Sequence, residues 1–342
     1  VNVSFLTGDG SGGDAAGDTY SDIEYLRGSD FGDTLIGDNT NNWVAGYAGA
    51  DSIAGNGGDD WLLGGAGNDT VDGGDGNDGV IGDAGDDVLF GGEGADAIDG
   101  GDGADMAYGG GGIDIFYGGA GDDTFDGGSG SDQFFGGAGS DTASYRSSAL
   151  AVDLNLATNF NADALDSVEN AWGSDLGDTI GGGNGANFLG GFGGNDSLRG
   201  FDGNDTLDGG DGADTLEGGD GADLMFGGAG NDMLFFGFGG ETVTGGSGAD
   251  TFLFFPSSSS FDVSDAGRTI VDFTGGVGGD ELGFQLNKYP GLGGGVSSAN
   301  VLYGVGVHST AFASGATAQL ASGPHGSVDI LVVTDGVYAS ST

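Results

Sequence analysis

The chain has 342 residues, of which 84 are Gly, 54 are acidic and only 5 are Lys or Arg; it carries a formal charge of −49 and has no Cys. That field excludes nucleic acid and anionic lipid as partners, and it opposes compaction unless multivalent cations bind in number. Without Cys there is no disulfide framework, thiolate metal site or cysteine nucleophile.

In chain order, residues 1–32 read as a leader: VNVSFLTG, a Gly-rich loop, then SDIEYLRGSDFGDTL. Val3 and Phe5 alternate as a half-buried strand does, and Ile23, or Val168 in the second leader, is placed to plug the open end of the roll. The first residue is Val with no charged-then-apolar stretch behind it, which reads as a processed or partial chain. Residues 33–144 form a first repeat array. Residues 145–177 form a linker and second leader, AVDLNLAT followed by DSVENAWGSDLGDTI. Aligning Glu24 with Glu169 brings Gly28 onto Gly173, Ser29 onto Ser174 and Asp33 onto Asp178, so the chain is a tandem duplication. Residues 178–252 form a second array, out of phase with the first, and are expected to be a separate solenoid. Residues 253–342 lose the period and read as a β-rich capping or assembly domain with the runs RTIVDF, DELGFQL, NVLYGVGV and DILVVTDGVY. No apolar run approaches the roughly 18 residues a membrane helix needs, and no membrane insertion is expected.

In each array an acid recurs every nine residues, an apolar residue stands two positions later, and the connecting stretch is rich in Gly; the unit is GGxGxDxUx. A strand of three residues, x-U-x, buries only its central side chain, so one unit cannot bury a face alone. Two units joined by Gly-rich turns make one coil, and coils must stack at about 4.8 Å into a parallel β-roll with the U residues as its interior seam. The turns then present carbonyl oxygens and a carboxylate to their neighbours. An all-oxygen cage from flexible turns suits Ca2+ better than Mg2+. The candidate carboxylate ligands are Asp51, Asp60, Asp69, Asp78, Asp87, Asp96, Asp105, Asp114, Asp123, Asp132 and Asp141 in the first array, and Asp196, Asp205, Asp214, Asp223, Asp232 and Asp250 in the second. The candidate turn glycines are Gly65 and Gly67, Gly74 and Gly76, Gly92 and Gly94, Gly101 and Gly103, Gly110 and Gly112, Gly119 and Gly121, Gly128 and Gly130, then Gly210 and Gly212, Gly219 and Gly221, and Gly228 and Gly230. One cation between successive turns on each side gives about 12 to 18 Ca2+ in all. Asn42 with Thr40, Asn187, and Glu241 with Phe236 depart from the pattern and put calcium at those turns in doubt.

On these motifs the chain resembles the RTX calcium-binding nonapeptide-repeat family of proteins exported by Gram-negative type I secretion. The resemblance implies an all-β fold of two tandem parallel β-rolls with N-terminal caps. It also implies a C-terminal antiparallel cap over the stretch from Thr251 through Leu286, including the Asp272–Phe273 pair, and a protein located outside the cell or on its surface.

Catalytic constellations are missing from the sequence. His308 and His325 lie in no HExxH, no Ser lies in a GxSxG, and the sole Lys, Lys288, lies in no phosphate loop. The outward residues carry more information. Registers 18 apart put Trp43 over Trp61, and Leu63, Ile81, Tyr117 and Phe135 in a second row broken by Asp99. Such ladders suggest contact with another layer or chain. The leading expectation is a non-enzymatic, calcium-binding structural protein that self-assembles, or joins another surface protein or polysaccharide, in an S-layer or extracellular filament. The alternative is the RTX tail of a larger secreted metalloprotease, lipase or alginate epimerase, or of a toxin. A third reading, a carbohydrate-binding module stacking on Trp43 and Trp61, needs a shallow groove around those residues.

Overall fold

The computed structural model describes residues 2–12, 23–150, 152–156, 164–254, 269–272, 281–284, 317–322, 328–334 and 337–338. Among them there is no helix, and within each of the chain's two compact units the repeat strands wind into parallel β-solenoid coils, about 12 in all. From Trp43 through Ala138 the strands of the first array are six residues long rather than three, as in Trp61–Ala66 and Val88–Glu93, while the end strands Thr34–Ile36, Thr142–Ser144, Thr179–Gly181 and Phe188–Gly190 keep to three. The period-2 alternation of a strand explains the extra length. In each unit the acid, the apolar U residue and the first turn Gly fall at i, i+2 and i+4, so all three face inward; Asp60, Leu62 and Gly64 are buried in this way. Glycine adds no side chain to the interior, so the extended backbone runs on past U until the second Gly turns it.

Every U residue of both arrays is buried, from Leu35 to Ala143 and from Ile180 to Phe252. The seam widens at Phe116, Phe125 and Phe134, where Phe116 and Phe134 stack at 4.9 Å and Phe125 tilts between them. Strands pair in parallel with partners 18 residues away: Trp43 with Trp61, Val88 with Met106, Tyr117 with Phe135, Thr206 with Leu224.

The chain divides into two compact units, Val1–Ser148 with Thr158–Trp172, and Ala149–Ala157 with Gly173–Thr342. The second leader is therefore divided, where the sequence suggests one block over 145–177. Its Asp153–Asn155 strand pairs with Thr179–Gly181 of the second array, whereas Ala164–Asp166 pairs with the Gln133–Phe135 stretch and Asn170–Trp172 with Thr142–Ser144 of the first. In the first leader Val3 is buried as expected, but Ile23 is exposed and Leu26 is buried in its stead, because Leu26 is the central residue of the Tyr25–Arg27 strand that pairs with Trp43–Ala45.

Beyond Asp250 the described strands do not turn antiparallel at once. Thr251–Phe254 pairs in parallel with Met233–Phe236, Glu281–Phe284 with Thr251–Phe254, and Thr269–Ile270 with the start of Thr242–Ser247. Thr251, Phe252 and Leu253 still supply the x-U-x pattern, with Phe252 fully buried, and so extend the roll. Antiparallel pairing begins with Thr317–Ser322, against Thr269–Ile270 and Val328–Thr334. Phe273, Lys288, the NVLYGVGV run, His308 and His325 lie outside the described residues.

The second turn position is left-handed, with φ of 115° at Gly65 and 107° at Gly74, yet Tyr47 holds 83° there. A side chain in that region costs about 1–2 kcal/mol. Tyr47→Gly is expected to stabilise the calcium-loaded protein by about 1 kcal/mol, read as a raised midpoint in thermal unfolding; an unchanged or lowered midpoint would show that the exposed ring offsets the strain.

Candidate metal centres

The inward Asp of each unit sits at a strand's first bend with almost no exposure; Asp105 is 2% exposed and Asp114 0%. One carboxylate oxygen, Oδ1, accepts a hydrogen bond from the backbone N–H of the equivalent residue one coil earlier. Asp51 N donates to Asp69 at 2.7 Å, Asp87 N to Asp105 at 2.8 Å, and Asp214 N to Asp232 at 3.0 Å. All the predicted Asp ligands take part, from Asp51 to Asp141 and from Asp196 to Asp250, with Asp132 accepting from Asp114 at 2.9 Å and Asp250 from Asp232 at 3.0 Å. The first ladder ends on a substitute, since Asp141 N donates to Glu169 Oε2 at 3.0 Å.

The other oxygen is orphaned. Oδ2 is buried without a hydrogen-bond partner in Asp51, Asp60, Asp69, Asp78, Asp87, Asp96, Asp105, Asp114, Asp123 and Asp141, and in Asp196, Asp205, Asp214, Asp223 and Asp232. A buried, unpaired carboxylate oxygen is costly unless a cation meets it. Each faces the first Gly of its own turn. A Cβ on Gly100 would fall against Asp105 Oδ2 and stand 2.8 Å from the carbonyl oxygen of Gly118, one coil on. Gly46, Gly55, Gly73 and Gly91 face Asp51, Asp60, Asp78 and Asp96 in the same way, each with the next coil's Gly carbonyl beside it. The donor set is a carboxylate oxygen and backbone carbonyls, all hard oxygen, around a position that only Gly leaves open. These residues fit Ca2+, whose binding would neutralise Oδ2 and tie adjacent coils together. Among the described residues no three His, Cys, Asp or Glu side chains cluster as a metal site, in keeping with one carboxylate per turn.

The predicted glycines at the second and fourth turn positions stack in columns. The carbonyl of Gly49 occupies the space a Cβ on Gly67 would take, and that of Gly92 the space on Gly110. These glycines let successive turns approach, whereas the carbonyl beside Oδ2 belongs to the first Gly, which the sequence reading left out. Also missed was a second, exposed ladder one residue before the acid, running in the opposite direction: Asn41 accepts from Asp59 N at 3.0 Å, Asp59 from Asn77 N at 3.0 Å, and Asn77 from Ala95 N at 2.9 Å. The recurrence of Asn or Asp at that position was its signal.

The opening turns of each array differ. Ser29 N donates to Asp33 Oδ2 at 2.6 Å, and Ser174 N to Asp178 Oδ2 at 2.7 Å, so the protein itself supplies the partner a cation supplies elsewhere. At Asn42 the amide Oδ1 accepts from Asp38 N at 2.8 Å and a buried Nδ2 has no partner, while Asn187 Oδ1 accepts from Gly183 N at 2.7 Å.

Burial, reinforced by neighbouring carboxylates, pushes Asp60, Asp87 and Asp196 up to about 7 and Asp69, Asp96 and Asp123 up to about 6. Without metal the folded roll therefore holds protons that the unfolded chain, with its acids near 3.8, has released. The metal-free roll is expected to be most stable below pH 4 and to lose stability as pH rises towards 7. With calcium the trend reverses, because the cation binds the ionised form. Circular dichroism of metal-stripped protein should show more β structure at pH 4.5 than at pH 7.5, and calcium-loaded protein the opposite; parallel trends would contradict the assignment.

Fold and site define a cation-dependent parallel β-roll. The family profile described as the RTX calcium-binding nonapeptide repeat matches residues 18–53, 27–62, 45–80, 72–107, 108–143, 199–234 and 237–253, more than half of the chain. The chain belongs to this family, and multiple Ca2+ ions are its resident cations. No curated protein matches it. Among solved structures it is similar to the crystal structure of a hyperactive, Ca2+-dependent, beta-helical antifreeze protein from an Antarctic bacterium. The identity is 22% over 72% of this chain and 80% of that one, with a TM-score of 0.28, too low to support any argument.

Proposed function

We propose that this chain is a secreted structural protein whose two tandem calcium-folded rolls, with their caps, assemble on the bacterial cell surface as an S-layer or filament, and that it is not itself an enzyme. The observation that carries the reading is a pair of outward aromatic stacks on the two sheets of the first unit, exposed at Phe90, Tyr108 and Tyr117 and half-buried at Phe135. Tyr117 and Phe135 stack at 5.2 Å with planes 10° apart, and Phe90 and Tyr108 at 5.0 Å and 12°. Tyr117 is 47% exposed. Rigid rings already held parallel on a flat sheet lose little freedom on docking, and a specific contact needs roughly 800 Å2 from each partner. Binding about 15 Ca2+ cancels about 30 negative charges, which lowers the self-repulsion that opposes association. Calcium acts here indirectly, by building the face on which the rings align. Contacts without rotational closure extend into a lattice or filament.

Replacing Tyr117 and Phe135 together by Asp is expected to leave the calcium-induced β signal intact and to abolish higher assemblies in light scattering and electron microscopy. Unchanged assemblies would place the contact elsewhere, and a wild-type protein that stays monomeric in calcium would end the assembly reading.

A further inference from the structure

The first unit carries a groove of about 640 Å3 along the stacking direction. Its floor is one outward row of a single sheet, Tyr25, Trp43 and Trp61, continued by the small residues Gly79 and Ala97 and closed by Ile115. Five coil steps make it roughly 24 Å long. Tyr25 is 70% and Trp61 49% exposed. The Trp61 indole packs against Gly79, where a Cβ would meet its Cε3 at 2.5 Å and Cζ3 at 2.8 Å. One wall is the exposed ladder Asn41, Asp59 and Asn77, in which one oxygen of each side chain is fixed by the next coil's backbone N–H.

We infer that this groove binds an extended, uncharged polysaccharide. Tyr25, Trp43 and Trp61 follow one another along the floor at the coil spacing, close to the length of one pyranose in an extended chain, with Tyr25 tilted 42° from Trp43 and Arg27 set over the Trp43 ring, and such rings meet the C–H faces of sugars. The wall's amides and carboxylate match their hydroxyls, held in place before binding. Charge decides the class: with about 15 Ca2+ bound the chain still carries roughly −19, and a trough walled by Asp59 and Glu24 repels uronate polymers and nucleic acid. A straight trough selects a β-1,4-linked ribbon over a coiled α-linked chain. The inference needs the calcium-loaded roll but not its assembly.

The test is calorimetric titration of the calcium-loaded full chain with cellohexaose, mannohexaose, maltohexaose and polygalacturonate. Saturable binding of at least one β-1,4 hexaose is expected, weakened about tenfold by Trp61→Ala with the calcium-induced β signal unchanged, and unaffected by Tyr117→Ala. Gly79→Ala keeps both indoles but displaces Trp61, and should weaken binding likewise; it stands in should Trp61→Ala fail to fold. No saturable binding of either β-1,4 hexaose, binding of polygalacturonate alone, or binding indifferent to both substitutions overturns the inference. Loss of assembly in Trp61→Ala without sugar binding reassigns the groove to a chain–chain contact.

Discussion

Removing calcium at neutral pH is expected to convert the β-rich protein into an expanded coil. At a hundredfold excess over its Kd a bound cation contributes about 2.7 kcal/mol per site, and a folded domain is stable by only about 5–15 kcal/mol in all. A handful of the centres built on Asp51 through Asp232 therefore holds more free energy than the fold has to spare. Loss of the ions leaves the orphaned Oδ2 atoms buried and unpaired, and restores the full −49. The transition is expected to be steep in calcium concentration, because each coil touches only its neighbours and an ion that orders one interface prepares the next. Far-ultraviolet circular dichroism in chelator at pH 7.5 reads it directly. A chain that keeps its β signal there contradicts a cation-dependent fold.

The second large effect depends on position. Asp105→Ala deletes an Oδ2 facing Gly100 and leaves the buried N–H of Asp87 without its acceptor; the lost hydrogen bond alone costs about 1–3 kcal/mol. The calcium midpoint should rise by about tenfold or more. Asp33→Ala should matter less, since Ser29 already satisfies Asp33 and a cation has less to supply. Gly100→Ala is the sharper probe. It retains the carboxylate yet places a methyl between Asp105 Oδ2 and the Gly118 carbonyl, and it should resemble Asp105→Ala. Equal midpoints for Asp105→Ala and Asp33→Ala would mean that the interior of the ladder has no special role.

The nine-residue period made the inward acids, the buried seam and the 18-residue register legible, because each is a periodic property of side chains. The role of the first Gly was not legible. Its significance lies in a missing Cβ beside an oxygen on its own turn and a carbonyl one coil away, a contact that only the stacked structure brings together. The Ser29 and Ser174 closures were visible as the aligned GSD stretches of the two leaders, but their hydrogen bonds to Asp33 and Asp178 were not. The antiparallel cap expected from Thr251 through Leu286 opens, among the described residues, with parallel pairing, because the Gly-rich turns lapse after Asp250 while Thr251–Leu253 still stack; Thr269–Ile270 within it pairs antiparallel with Thr317–Ser322. Glu169 shows the opposite case, a residue noted only for alignment that completes the first ladder across an insertion.

The most direct measurement is the number of calcium ions on the folded chain, counted by native mass spectrometry while circular dichroism confirms the β-roll. The turns with an orphaned Oδ2 predict about 12 to 18 ions, bound and released together with β structure. A folded chain carrying only one or two would contradict the account, for the buried carboxylates would then have to be satisfied by something other than calcium.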